Sequence, residues 1–79
     1  MTSLAETFSD RNIMKLSYTA SGMIEYIGYA SPGSASSAAV WKIIKMTYDG
    51  SGRQTDLQFA DGSRNFDKIW DSKAGYTYK

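Results

Sequence analysis

Residues 40–48, Val-Trp-Lys-Ile-Ile-Lys-Met-Thr-Tyr, form the densest run of strand-favouring side chains in the chain. β-Branched and aromatic groups fit a pleated, half-buried surface better than a helix. Turn signals stand on both sides: Pro32-Gly33 and a Ser/Ala stretch before the run, Asp49-Gly50-Ser51-Gly52 after it. A strand so bounded is a central element, and the other segments read as its partners. With a two-residue period, Trp41, Ile43, Lys45 and Thr47 lie on one face and Val40, Lys42, Ile44, Met46 and Tyr48 on the other. The large apolar groups start on the first face and continue on the second. A bulge at Ile44 and Lys45 is the expected remedy, bringing Trp41, Ile43, Met46 and Tyr48 to one side.

The turn at Asp49-Gly50 predicts a hairpin, since Asp-Gly supplies the positive φ that a tight turn needs. Its return arm is residues 55–60, with Leu57 and Phe59 inward and Asp56, Gln58 and Ala60 outward. Asp61-Gly62 is a second hairpin signal. Phe66, Ile69 and Trp70 then carry the spacing of a short kinked strand or of a single helical turn. Tyr76 and Tyr78 close the chain as a last strand or an arm. Upstream, residues 15–19 form a short strand with Leu16 and Tyr18 on one face. Residues 23–30 form another, in which Ile24, Tyr26 and Gly28 oppose Met23, Glu25, Ile27 and Tyr29. Gly28 inside it marks a bulge or a close approach of another group to the backbone. Pro32-Gly33 is a turn, and residues 34–39 are too small and polar to anchor a core. Leu4 and Phe8 stand four apart, the spacing of one helical turn or of an arm docking on a partner.

These readings add up to an all-β chain: a small antiparallel β-sandwich or open barrel of five to six short strands with an extended N-terminal arm. Residues 1–12 are the lead-in and residues 13–79 the single domain. Tyr26, Trp41, Ile43, Met46, Tyr48, Leu57, Phe59, Phe66, Ile69 and Trp70 are the expected core or interface anchors. Leu4, Phe8, Tyr76 and Tyr78 are the expected interface arms.

Size and composition narrow the function. A chain of 79 residues buries only roughly 60–65% of the surface its unfolded form exposes. Small domains supplement such a core with disulfides, a metal or assembly. The chain has no Cys and no His, which excludes disulfides, the usual zinc sets and both the Ser-His-Asp and Cys-His arrangements within one chain. Assembly is the supplement left. Asp49, Asp61, Asp67 and Asp71 sit in or beside turns, where Asp serves the backbone rather than acid–base chemistry. Asp49-Gly50-Ser51-Gly52 lacks the alternating ligands of a calcium loop and the Gly-Lys-Ser/Thr of a phosphate loop. No catalytic residue, cofactor or metal is expected, and an enzyme is not. Nine basic against eight acidic residues, net +1, is no nucleic-acid footprint. No apolar run approaches the roughly 18–20 residues of a membrane span, and no signal peptide is recognisable. The absence of Cys suits a reducing compartment. Two Trp, six Tyr and three Phe leave one alternative open, in which Trp41, Trp70 or Tyr76 stacks on a sugar.

From residue 25 onward the chain resembles a family. Tyr26-Ile27-Gly28, Ala30, Pro32-Gly33, the Ser/Ala run, Trp41, Ile43 and Lys45 match a pattern that recurs in tailed bacteriophages. Phe59-Ala60-Asp61-Gly62, Phe66-Asp67, Ile69-Trp70-Asp71 and Tyr78 are similar to its closing part. Tyr29 stands where the pattern usually has Lys, and residues 14–23 have no counterpart. Members of that family are small β proteins and domains that sit among virion structural components. The resemblance implies a non-enzymatic virion protein, a capsid decoration or a tail or fibre accessory, made in the host cytoplasm. It implies partners too: further copies of itself and other virion proteins, with a host-surface glycan as the alternative if it lies at a fibre tip.

Overall fold

The computed structural model describes residues 13–79. The lead-in with Leu4 and Phe8 lies outside the described residues. The strands are β1 (Ile13–Tyr18), β2 (Ile24–Ala30), β3 (Ala39–Tyr48), β4 (Gln54–Phe59) and β5 (Lys68–Ile69), followed by a 3₁₀ helix over Trp70–Gly75. The all-β antiparallel class holds. The strands form one five-stranded sheet in the order β1-β2-β3-β4, with β5 also pairing β3. β4 pairs the second half of β3 and β5 its start, so the long β3 spans both ladders. The 3₁₀ helix and the C-terminal residues cover one face of this sheet.

Residues opposite each other in antiparallel strands share a face, so the register assigns both faces. Ile13, Ala30, Gly28, Ile43, Tyr26 and Lys45 lie on the inner face, and Trp41 joins them by alternation along β3. Met14, Leu16, Ile27, Tyr29, Lys42, Ile44, Met46, Leu57 and Phe59 lie on the outer face. The enclosed core is on the inner face: Tyr26, Ala30, Trp41, Ile43, Ala60 and Trp70, with Ile13, Tyr76 and Tyr78 packed against it.

The expected bulge at Ile44 and Lys45 is absent. The ladder runs unbroken there on both sides, with Ile27 and Phe59 opposite Ile44 and Tyr26 and Gln58 opposite Lys45. The register shifts lie elsewhere, and in each one strand carries one extra residue. These are Glu25 between β1 and β2, Val40 between β3 and β5, and Thr55 between β3 and β4. Met46 therefore stays on the face opposite Trp41 and Ile43. Both faces of β3 bury apolar groups, so no bulge is needed to reconcile them.

Two turns match their sequence signals and one is displaced. Ser31-Pro32-Gly33-Ser34 is a type II turn, with Gly33 at φ 86 and Ser34 N donating to Ser31 O at 3.1 Å. Asp61 and Gly62 both have positive φ, 55 and 69, which is the type I′ signature. The chain leaving this turn does not return along β4, however; it crosses to pair with β3. In the β3–β4 hairpin the positive φ falls on Gly52, at 83, and not on Gly50. The reason is the Asp49 carboxylate, whose Oδ1 accepts from Ser51 N at 2.8 Å and Arg53 N at 3.0 Å. That turn wraps five residues around one side chain and reaches Gln54 only after Gly52 has reversed the chain.

Asp49 also accepts from Arg53 Nε at 3.0 Å. The Arg53 N–H is the largest of the contacts that hold the Asp49 carboxyl below its ordinary value. A depressed folded pKa stabilises the fold above the unfolded value, about 3.9, and that contribution is lost as pH falls through the lower folded value. Thermal midpoints of the wild type and Asp49→Asn, compared from about pH 6 to below pH 4, are expected to converge at the acid end. A gap that stays constant with pH contradicts this.

Candidate functional site

The sequence-predicted anchors separate into groups. Tyr26, Trp41, Ile43 and Trp70 meet in the core, with Trp41 and Ile43 fully enclosed and Trp70 7% exposed. The Trp41 and Trp70 rings stand 5.9 Å apart at 40°, within the range of favourable aromatic pairs. Trp41 Nε1 donates to Ala35 O at 2.9 Å, which lays the Ser/Ala loop over the ring. Asp71 N donates to Ser36 O at 3.1 Å, so the same loop meets the start of the 3₁₀ helix. Neither tryptophan presents a stacking surface to solvent. That outcome removes two of the three rings on which sugar recognition was expected to rest.

Tyr76 and Tyr78 are not free arms. Tyr76 Oη accepts from Ile69 N at 2.8 Å, and Tyr78 Oη donates to Lys73 O at 2.6 Å. The Tyr78 ring packs on Tyr26 at 5.6 Å. Burial is the first cause that pushes the Tyr26 and Tyr78 phenols up, Tyr78 far above its ordinary range. Residues 77–79 pair with the end of β4: Phe59 N donates to Lys79 O at 2.9 Å, Lys79 N to Phe59 O at 3.1 Å and Asp61 N to Thr77 O at 2.6 Å. The final segment is therefore structural. Its spacing suited a last strand or an arm alike, because Tyr76 and Tyr78, two residues apart, point the same way in extended chain.

The remaining anchors lie outside the enclosed core. Leu57 is 47% exposed and Phe66 45%, while Met46, Tyr48, Phe59 and Ile69 are half-buried. Tyr48 Oη donates to Ile24 O at 2.6 Å and so clamps the start of β2. Leu57 and Phe59 were expected inward. They face Met46 and Ile44 across the ladder, on the outer side of the sheet.

That outer side is the chemically unusual surface. Ile27 and Ile44 form its centre and are buried, whereas Met14 is 55%, Leu16 37% and Leu57 47% exposed. Cations sit over several of its rings. Lys42 Nζ lies 5.2 Å from both the Tyr29 and Phe66 centroids, and the Arg64 guanidinium 5.7 Å from Phe59. Their stems lie along apolar surface while the charged heads stay in reach of water. The result is an apolar sheet face with a basic rim. Sequence reasoning placed Leu16 and Ile44 in strands but left Met14 unassigned. The signal was the alternation of Met14, Leu16 and Tyr18, readable only once the register with β2 was known.

Among the described residues no three carboxylates gather where they could hold a metal ion, and no helix is long and apolar enough to cross a membrane. Every buried side-chain nitrogen and oxygen described has a partner. Lys68, the one buried charged residue among them, pairs through Nζ with the exposed Asp67 carboxylate. Comparison of the chain with protein-family models, with curated proteins and with solved structures gives no match.

Proposed function

We propose that the chain is a non-enzymatic structural component of a tailed-bacteriophage virion, a capsid decoration or a tail or fibre accessory, working through symmetric protein–protein contacts. The observation that carries this reading is the outer sheet face, where Met14, Leu16 and Leu57 remain exposed beside the buried Ile27 and Ile44. Large apolar groups left exposed at both edges of one sheet face suit an interaction surface on so small a domain. A domain built of one sheet layer also gains most from a second layer supplied by a neighbour. The resemblance of residues 25–79 to phage virion components supports the same reading. Further copies and other virion proteins are the partners it needs.

Mass spectrometry of purified particles, together with sedimentation of the isolated chain, tests the proposal. Detection in the particle and self-association at micromolar concentration are expected. A monomer that is missing from particles sinks it. Titration with host glycans while recording tryptophan emission serves as the counter-test. With Trp41 and Trp70 enclosed, no saturable shift is expected.

A further inference from the structure

Among the described residues nothing pairs with the outer edge of β1, which is the first strand in the sheet order. Natural edge strands are blunted by proline, by charges, by bulges or by a covering segment. β1 contains no proline, and the extra residue of its ladder belongs to β2, so its one protective device is Lys15, a charge on the inner face opposite Gly28. The far edge of the sheet is managed differently. Residues 77–79 close the end of β4 through Phe59 and Asp61, and Asp56 stands on the part left over. The two edges are therefore not equivalent. On β1, the exposed Met14 (55%), Leu16 (37%) and Tyr18 (55%) alternate along one side.

We infer that β1 pairs antiparallel with β1 of a second copy of this chain, about a two-fold axis through Leu16, joining the sheets edge to edge. This rests on the oligomeric reading above and names the contact. The register follows from three constraints. A two-fold axis normal to the sheet sets like faces side by side, so residues of one face must stand opposite each other and the axis passes through a single residue. Only Lys15 and Leu16 as centres pair five residues within Ile13–Tyr18. An axis at Lys15 opposes two like charges, which is destabilising. An axis at Leu16 places Leu16 against its copy, Met14 against Tyr18 of the second copy and Lys15 against Ser17 of the second copy. The apolar groups meet one another, methionine sulfur lies beside an aromatic ring, and the lysine meets a neutral hydroxyl. Five paired residues extend about 17 Å. Such an interface is at the small end, so association is expected at about micromolar concentration.

The chain has no cysteine, so engineered ones report the contact without background. Directly opposed residues in an antiparallel ladder have Cα atoms about 4.5–5.5 Å apart, inside the range a disulfide spans. Full-length Leu16→Cys is expected to oxidise to a covalent dimer at tens of micromolar, while Lys15→Cys, whose opposite is Ser17, stays monomeric. A second pair of variants leaves Leu16 in place. Ser17→Glu faces Lys15 of the second copy twice and is expected to tighten the dimer roughly 2- to 30-fold, and Ser17→Lys to loosen it by a similar factor. Cross-linking at Lys15→Cys in place of Leu16→Cys overturns the register. No cross-link with either variant, and no change in sedimentation with the Ser17 pair, overturns the contact. Detection of the chain in particles would be unaffected by those results, so the two readings fail separately.

Discussion

Gly28→Ala is expected to destabilise the domain by about 1–3 kcal/mol, lowering the thermal midpoint by roughly 5–20 °C for a chain of this size. The ordinary expectation has the opposite sign. Gly28 has no positive φ, and at such a site alanine normally stabilises by about 0.4–1 kcal/mol through loss of unfolded-state freedom. Packing reverses it here. A Cβ on Gly28 would overlap Trp70 Cε3 and stand 2.7 Å from Cζ3 of the same ring and 3.1 Å from Trp41 Cε3. Trp70 has little room to retreat, because it packs on Trp41 and its neighbour Asp71 is tied to Ser36. The methyl group must lift the 3₁₀ helix from the sheet or shift β2 from its ladder. Urea denaturation of the wild type, Gly28→Ala, Trp70→Leu and the double variant tests this. The double variant is expected to be more stable than the sum of the singles predicts, because a smaller side chain at 70 relieves the overlap. Strict additivity, or a stabilised Gly28→Ala, overturns the account.

Trp41→Ala should have a larger effect still. Its side chain is fully enclosed, and truncation of a buried tryptophan costs about 3–5 kcal/mol. That is comparable with the entire stability of a small domain, about 5 kcal/mol at the low end. The variant is expected to be largely unfolded at 25 °C, with flattened near-ultraviolet circular dichroism. Trp41→Phe separates the two roles of the residue. It keeps a ring against Trp70 but loses the donor to Ala35 O. A folded protein with a lowered midpoint is expected, and with faster amide exchange in residues 34–39. Native stability of Trp41→Ala would remove Trp41 from the centre of the fold.

The strands were legible because alternation and turn residues agree locally. Tyr26, Trp41, Ile43 and Trp70 were legible as core because large aromatic and branched groups have no comparable alternative in so short a chain. Gly28 was read as a bulge or a close approach, and the approach of Trp70 decides between them. Less was legible about which face would be enclosed. In β3 each face carries apolar groups, and period alone ranks neither. The choice was made by residues far along the chain, where Ala60, Trp70, Tyr76 and Tyr78 come to lie on the side of Trp41 and Ile43. For the same reason Leu57, an inward residue by alternation, is exposed. The outer face and the β1 edge emerged only with the register, since nothing in Met14, Lys15 and Leu16 taken alone states what lies beside them.

The C-terminal cover of the inner face has a consequence for how the polypeptide matures. Strands β1 to β4 are joined by short connections and pair nearest neighbours, so their contacts are local and quick to form. The groups that seal Trp41 and Gly28 come from the last part of the described chain. A chain that forms these local contacts first holds the meander with its tryptophan side still open until residues 60–78 dock. In that interval it has apolar surface on both sides of one sheet, the condition in which aggregation competes with folding.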